Sequence, residues 1–346
     1  MGIASCDSEK TVPLPTVGAL AHEVSVSGIS SGAYMAGQFQ LAHGREVVGA
    51  AIIAGGPYGC AESVYADMLP GPGSAFLNIT KAINGCMLDA MRIWGVPNPQ
   101  TLAKRAQNLA QRGDIAPIET VITDRIYLFS GKSDHTVVPA IVKDAAEFYR
   151  DLGVPAEQIK FVNDIDAGHA FVTESAGLAC DDTGKPYVVD CDYDQAGDLL
   201  SFIYGPLNPA VVKSTGEFIV FDQRPFTDDL PTHGMEASGV VYIPFSCRDS
   251  AAPKTPGCRV HIAFHGCGQN RAMVGDAFTH GAGFARWADS NRLIVLFPQA
   301  ATSPFNPQGC WDWWGYTGRS YLTRQAPQIV AVQRMLTRLT QVDRPS

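Results

Sequence analysis

The sequence predicts an α/β fold, with a mostly parallel sheet covered by helices on both faces. Three observations carry this. Short apolar runs that read as strands alternate with helix-like segments through both halves of the chain. The first of these runs leads straight into a glycine-flanked serine that opens a helix. No repeat or long linker interrupts the rhythm, so residues 1–346 are read as one domain, although length alone would allow about two.

The elements follow in order. Residues 1–20 are expected to be a flexible segment. Residues 22–27 alternate through His22, Val24 and Val26 and predict a strand, and 28–32 a tight turn. From Ala33, through Met35, Phe39 and Leu41, the spacing is helical. The apolar run 47–54 predicts a buried strand, closed by Gly55-Gly56-Pro57. Weak periodicity and many Gly and Pro make 60–100 a surface insertion, and 60–120 together a cap-like region, with a polar helix at 101–111. Strands at 125–129 and 158–162 alternate with helices at 141–152 and 196–204. The second half restarts the pattern. Runs 218–221 and 239–244 are able to form a hairpin, 260–264 and 293–297 are apolar strands, and 281–291 is a helix. The last helix, 328–339, places Ile329, Val332, Met335 and Leu336 on one face.

Composition narrows the function classes. With 46% hydrophobic and 17% charged residues, the chain is not of the disordered type. Twenty-six basic against 34 acidic residues give a net charge of −8, which speaks against non-specific nucleic-acid binding. No apolar run reaches the roughly 18 residues of a membrane span. Nine cysteines occur without a C-x-x-C pair, so zinc-ribbon and thioredoxin-like readings lack support. Cys180 and Cys191, like Cys247 and Cys258, bracket ten residues rich in Asp, Pro, Gly or Ser. A disulfide closing such a loop contributes about 2–3 kcal/mol. Four disulfides drawn from Cys60, Cys86, Cys180, Cys191, Cys247, Cys258, Cys267 and Cys310 are expected, implying a secreted or periplasmic protein. Cys6 is left over. Ile3-Ala4-Ser5-Cys6 resembles the end of a lipoprotein signal, so a lipid anchor there is one expectation, and an unpaired thiol the other. Asn78-Ile79-Thr80 is a glycosylation sequon, a triplet common enough to mean little alone.

Gly28-Ile29-Ser30-Ser31-Gly32 matches G-x-S-x-G. The pattern alone is weak, but its place between strand and helix is that of a nucleophile elbow, with Ser30 at the tip. A serine nucleophile needs a base, and the base an orienting acid. In α/β-hydrolases these follow in the order Ser, Asp or Glu, His. Asp134 and His169 fit, each in a loop just past a strand. Asp164 and Asp166 are alternative acids and His135 an alternative base. A tetrahedral intermediate also needs two donors. The first is the Ser31 amide. The H-G-rich loop that normally supplies the second appears late, as Phe264-His265-Gly266-Cys267-Gly268. A circular permutation, with the break just before the nucleophile strand, accounts for this order. Trp311, Trp313, Trp314 and Tyr316 form an aromatic cluster in which Trp311 is expected to be a core plug, with others walling a substrate site.

The chain resembles the extracellular poly(3-hydroxybutyrate) depolymerases of the single-domain, circularly permuted type. The resemblance rests on residues 24–32 with Tyr34-Met35, then Ala54-Gly55-Gly56-Pro57-Tyr58, Ser133-Asp134, His169, Cys191-Asp192-Tyr193-Asp194, Tyr242-Ile243-Pro244, His265-Gly266-Cys267, Pro298-Gln299-Ala300 and Gly309-Cys310-Trp311-Asp312-Trp313. It implies a circularly permuted α/β-hydrolase fold, a Ser30–Asp134–His169 triad, and an oxyanion hole of the Ser31 and Cys267 amides. It also implies a Cys267–Cys310 bridge and a crevice lined by Trp313, with Trp311 and His265 as further substrate-side candidates. The substrate would be the polyester or its oligomers, the protein a monomer, and neither metal nor organic cofactor is implied. Two other readings stand beside it. One is a carboxylesterase for soluble esters such as feruloyl or acetyl esters, the other a catalytically inert surface-binding protein.

Overall fold

A computed structural model describes residues 11–62, 72–230, 232–248 and 257–342, with only the backbone of 72–74. Cys6 lies outside the described residues. The first half of the chain runs β1 (Val24–Ile29), α1 (Ser31–Ala42), β2 (Val47–Ile53), α2 (Pro72–Cys86), α3 (Pro99–Gln111), α4 (Ile118–Ile122), β3 (Arg125–Phe129), α5 (Pro139–Leu152) and β4 (Ile159–Val162). Three short strands follow, β5 (Phe171–Thr173), β6 (Leu178–Ala179) and β7 (Val188–Asp190), and then α6 (Gln195–Tyr204). The rest is β8 (Glu217–Asp222), β9 (Ser238–Ile243), β10 (Arg259–Phe264), α7 (Arg271–Val274), α8 (Ala277–Gly281), α9 (Phe284–Asn291), β11 (Leu293–Phe297) and α10 (Pro327–Thr340).

The main sheet has eight strands in the order β4-β3-β2-β1-β10-β11-β9-β8. From β4 to β11 every pair is parallel, and β9 runs antiparallel to both its neighbours. Counted in chain order from β8, with β1 following β11, the strands lie 1-2-4-3-5-6-7-8. This is an α/β-hydrolase sheet whose chain has been permuted, with the break between α10 and β1. The two described ends meet at that break. Gly18 donates its amide to Gln341 O at 2.8 Å and Ala19 to Leu339 O at 3.0 Å.

Alternation along each strand builds two cores. Val24, Val26, Ala50, Ile52, Ile126, Leu128, Val260 and Ile262 face α1, α3, α5 and α10. Ala51, Ile53, Tyr127, Phe129, Ala263 and Val295 face α6 and α9. On this second face the central strands also bury a polar group. His261 lies between the hydroxyls of Ser25 and Ser27, at 2.7 Å from each. Burial pulls its pKa down to about 3, so the ring stays neutral in water of ordinary pH.

Three expectations need correction. Residues 11–20 are not a loose segment, since Leu14, Val17 and Ala19 are buried and Val12 bridges to Phe221. Residues 60–100 hold a 15-residue helix, α2, tied at its end by the Cys60–Cys86 disulfide. The helix expected at 281–291 starts at Phe284, because Gly283 adopts φ 84° and breaks it from α8. The other three disulfides are Cys180–Cys191, Cys247–Cys258 and Cys267–Cys310. No helix among the described residues is long and apolar enough to cross a membrane.

Candidate active site

Four loops at the carboxyl ends of parallel strands converge, where α/β sheets place their ligands. The first is the turn from β1 into α1. Ser30 sits there at φ 56° and ψ −122°, a conformation that costs a non-glycine residue about 1–3 kcal/mol. It is 8% exposed at the head of an otherwise buried helix. The glycines on either side are dictated by packing. A Cβ on Gly28 would stand 2.0 Å from Gly32 O, and one on Gly32 2.4 Å from both Phe264 O and His265 O. Ser31 is the first residue of α1, so its N–H has no acceptor inside the helix and lies at the positive end of the helix dipole.

The second loop follows β3. Asp134 is buried, and its Oδ1 accepts the amides of Thr136 and Val137 at 2.8 and 2.9 Å. Its Oδ2 faces His169 Nδ1 at 2.8 Å. A carboxylate only accepts, so Nδ1 carries the proton and Nε2 is left as a base. His169 belongs to the third loop, after β4, and is itself 5% exposed. Its amide donates to Thr183 Oγ1 at 2.8 Å, and Gly168 donates to Cys180 O at 2.9 Å, so the Cys180–Cys191 loop holds the histidine from behind. The alternatives are set aside by position. Asp164, Asp166 and His135 are all exposed, and Asp166 accepts from Ser133 Oγ.

The fourth loop follows β10. A Cβ on Gly266 would come within 3.4 Å of Ser30 Cβ, which places this loop against the elbow. The amides on either side of Cys267 are engaged, Gly266 N with Gln269 Oε1 at 2.8 Å and Gly268 N with Gln308 O at 2.6 Å. Gln269 Nε2 donates in turn to Pro186 O and Tyr187 O, and Phe171 N donates to Tyr187 O. The contacts therefore run from Ser30 through Gly266, Gln269 and Tyr187 to the His169 loop. The dipeptide Cys310-Trp311 ties the first and fourth loops together. Cys310 bonds to Cys267, and the Trp311 amide donates to Ser31 Oγ at 3.3 Å.

Two of the three substrate-side candidates are displaced. Trp311 is fully buried, edge-on to Phe264 and tilted against His265. His265 is fully buried too. Its Nδ1 donates to Gly266 O at 2.8 Å, and its Nε2 accepts the Ala300 amide at 3.1 Å. Desolvation pulls its pKa down to about 4, so it is a neutral, buried brace behind the loop. Trp313 is 6% exposed, stacked on Tyr34 at 4.0 Å and edge-on to Trp314. Trp314 and Tyr316, with Phe76 of α2 and Phe305, line a cleft of about 630 Å³ beyond this stack. Ser30, Asp134 and His169 do not line it.

Several supporting residues were given no role from the sequence. Gln269 carried a signal, standing three residues past Gly266 in a turn. So did Tyr34, one helical turn after Ser30. Asp312, buried in the aromatic loop, accepts the amides of Gly315, Tyr316 and Thr317 and the Thr317 hydroxyl. Thr183 carried none, because only the folded loop brings it to His169. Among the described residues no group of three or more His, Cys, Asp or Glu is arranged to hold a metal ion.

Comparison with known proteins gives a consistent set. No family model matches the chain. A poly(3-hydroxybutyrate) depolymerase of Delftia acidovorans is 36% identical over 332 residues, 95% of this chain, and the chain spans 62% of that protein's length. A polyhydroxybutyrate depolymerase of Talaromyces funiculosus is 31% identical over 336 residues, covering 92% of this chain and 88% of that one. The crystal structure of a PHB depolymerase from Penicillium funiculosum superposes with a TM-score of 0.79 at 29% identity, over 95% of this chain and 99% of that one. A serine-to-alanine variant of a PHB depolymerase, complexed with an R3HB trimer, superposes with a TM-score of 0.80 at the same identity and coverage.

Proposed function

The chain belongs to the polyhydroxybutyrate depolymerase family, and from that premise we propose that it is a serine esterase hydrolysing poly(3-hydroxybutyrate) and its oligomers through an acyl-enzyme on Ser30. One observation carries the reading. A buried His169–Asp134 pair and a strained serine elbow stand at the same end of one sheet, joined by the oxyanion-side loop.

In acylation, His169 Nε2 takes the Ser30 proton as Oγ bonds to the ester carbonyl carbon. The oxyanion is held by the Ser31 and Cys267 amides, with the α1 dipole behind them. The carbonyl carbon–oxygen single bond then breaks, and the hydroxyl end of the polymer leaves with the proton from His169. Water repeats the sequence in reverse. It gives its proton to His169, attacks the acyl carbon, and releases the acid end and free Ser30. Asp134 keeps the Nδ1–H tautomer and stabilises the imidazolium. Trp313 offers the substrate only its small exposed edge. The described fold works as a single catalytic unit, and its four disulfides fit an oxidising, extracellular or periplasmic location.

The test follows turbidity of an amorphous poly(3-hydroxybutyrate) suspension together with p-nitrophenyl butyrate hydrolysis. Wild type clears the suspension, and Ser30→Ala loses both activities by about 10⁴-fold or more. Soluble-ester turnover without clearing would favour the small-ester esterase. Activity surviving in Ser30→Ala would remove Ser30 from the mechanism.

A further inference from the structure

The Cys267 amide serves an oxyanion only while its N–H points at the site, and its own sequence does not hold it there. Gly266 and Gly268 flank it, and Gly268 adopts φ 70°. Three successive peptide planes of this loop are nevertheless pinned. The Gly266 amide donates to Gln269 Oε1 at 2.8 Å. Gly266 O accepts from His265 Nδ1 at 2.8 Å and from the Gln269 amide at 3.3 Å. The Gly268 amide donates to Gln308 O at 2.6 Å. In a trans peptide the C=O and the N–H point opposite ways. Holding Gly266 O therefore also fixes the direction of the Cys267 N–H, which shares its plane. Among the described residues nothing accepts from that N–H.

Gln269 does more than close its own turn. It is 1% exposed, and the other end of its carboxamide leaves the loop. Nε2 donates to Pro186 O at 3.1 Å and to Tyr187 O at 2.9 Å. Both carbonyls belong to the Cys180–Cys191 loop, which holds His169 from behind. Tyr187 O also accepts the amide of Phe171, two residues past His169, at 2.9 Å. Tyr187 itself stands at φ 57°, a left-handed conformation that a tyrosine takes up only under constraint. The loops touch as well, for a Cβ on Gly268 would stand 3.3 Å from the Tyr187 ring. One buried carboxamide thus spans the donor side and the base side of the site, through partners 82 and 83 positions away in the chain. Closing the turn needs only its oxygen. The nitrogen bonds fix that oxygen's rotamer and tie it to the second loop.

We propose that Gln269 is a positioning residue for the reaction: its carboxamide aims the Cys267 N–H at the oxyanion and keeps that donor in register with the His169 loop. The proposal deepens the serine-esterase reading and rests on its acyl-enzyme at Ser30, whether the ester is soluble or polymeric. Gln269 does not touch the substrate. It acts in the transition state, because a donor that is correctly aimed before the reaction needs no reorientation when the negative charge appears.

The experiment compares wild type, Ser30→Ala, Gln269→Met and Gln269→Glu in p-nitrophenyl butyrate hydrolysis. Inhibition by an alkyl trifluoromethyl ketone and by the matching methyl ketone is measured alongside. The trifluoromethyl ketone bonds to Ser30 Oγ at its carbonyl carbon, the hydroxyl proton passes to His169, and the carbonyl oxygen becomes an oxyanion; the methyl ketone binds without adding. Gln269→Met keeps the length and makes none of the side-chain bonds. It should lower kcat about 30–300-fold with KM within about threefold. It should weaken the trifluoromethyl ketone by the same factor as kcat/KM and leave the methyl ketone unchanged. Gln269→Glu keeps the acceptor for Gly266 but, when ionised, sets an oxygen against Pro186 O and Tyr187 O. Burial and those carbonyls favour the protonated form, which donates to one of them. Its kcat relative to wild type should therefore rise as pH falls from about 8 to about 5. The ionisable groups of the two loops, His169, His265, Asp182, Lys185 and Tyr187 among them, are common to both proteins, and Arg271 pairs with Asp276, so the ratio reports the introduced carboxyl. Wild-type kcat in Gln269→Met overturns the proposal. So does a loss of kcat in which the two ketones are affected alike, for Gln269 then shapes the pocket and not the donor. A Gln269→Glu ratio that is flat with pH overturns it too, and decides alone should Gln269→Met fail to fold. Activity surviving in Ser30→Ala is a separate failure, that of the acyl-enzyme reading itself.

Discussion

Asp134 spends both carboxylate oxygens on fixed partners, two amides on one and His169 on the other. Asp134→Asn keeps the shape but offers His169 an amide that favours the wrong tautomer. It should lower kcat on p-nitrophenyl butyrate by about 10³–10⁴-fold with KM little changed. A KM effect of similar size would mean that Asp134 holds the substrate site instead. The oxyanion side has its own test. Cys310→Ser frees Cys267 from the segment that also bonds Ser31 Oγ, and should reduce kcat by about 10–100-fold. An unchanged kcat would show the loop to be held by Gln269 and Gln308 alone. That Ser30, Asp134 and His169 stand in loops at one end of the sheet was legible in the sequence, because each follows a recognisable strand. What separates Asp134 from Asp166 is burial, and sequence does not register that when both stand beside glycine-rich turns. The same holds for His265 and Trp311. Their motif announced the site, but depth made them braces behind it.

At the level of elements, the eight strands of the main sheet and helices α1, α3, α5, α6 and α10 were read to within one or two residues, because their apolar runs and periodic patterns are long enough to stand out, whereas the two- and three-residue strands β5, β6 and β7 were not read at all. Nor was helix α2. Its sequence carries Gly73, Asn78, Thr80, Asn84 and Gly85, all poor helix formers. It is held by tertiary ties, the Cys60–Cys86 bond and the Asn78 bond to Trp314. The start of β3 holds a pH-sensitive feature. Asp124 is buried beneath α1, with Gln40 Nε2 donating to it at 2.7 Å and Tyr149 donating to Gln40 at 2.8 Å. Desolvation pushes its pKa up from 3.8 to about 8, against the pull of Gln40. Between those values the folded chain retains a proton that the unfolded chain releases, so stability falls as pH rises from about 4 to about 8. Asp124→Asn removes that dependence. Its midpoint of urea unfolding should exceed wild type at pH 8, by up to a few kcal/mol in free energy, and by little at pH 4. An equal change at both pH values would show that Asp124 is ionised in the fold.

For the whole molecule, the permutation is the governing feature. Residues 17–19 already run against the end of α10, and residues 205–216 between α6 and β8 contain no buried position. A variant that joins position 342 to position 11 by a short flexible linker and opens the chain near position 212 should fold and keep its soluble-ester activity within a few-fold. Failure to fold would show that the present chain order is needed to reach the native state. That order also bears on synthesis. Strand β1 lies in the middle of the sheet, yet its pairing partner β10 is 236 positions later. While the ribosome is still making the second half, β1, β2, β3 and β4 can assemble, but the open side of β1 stays a bare strand edge. A nascent chain of this length of waiting offers a template for mispairing with its neighbours on a polysome, so the cell that makes it must keep that edge covered until the last third of the chain emerges.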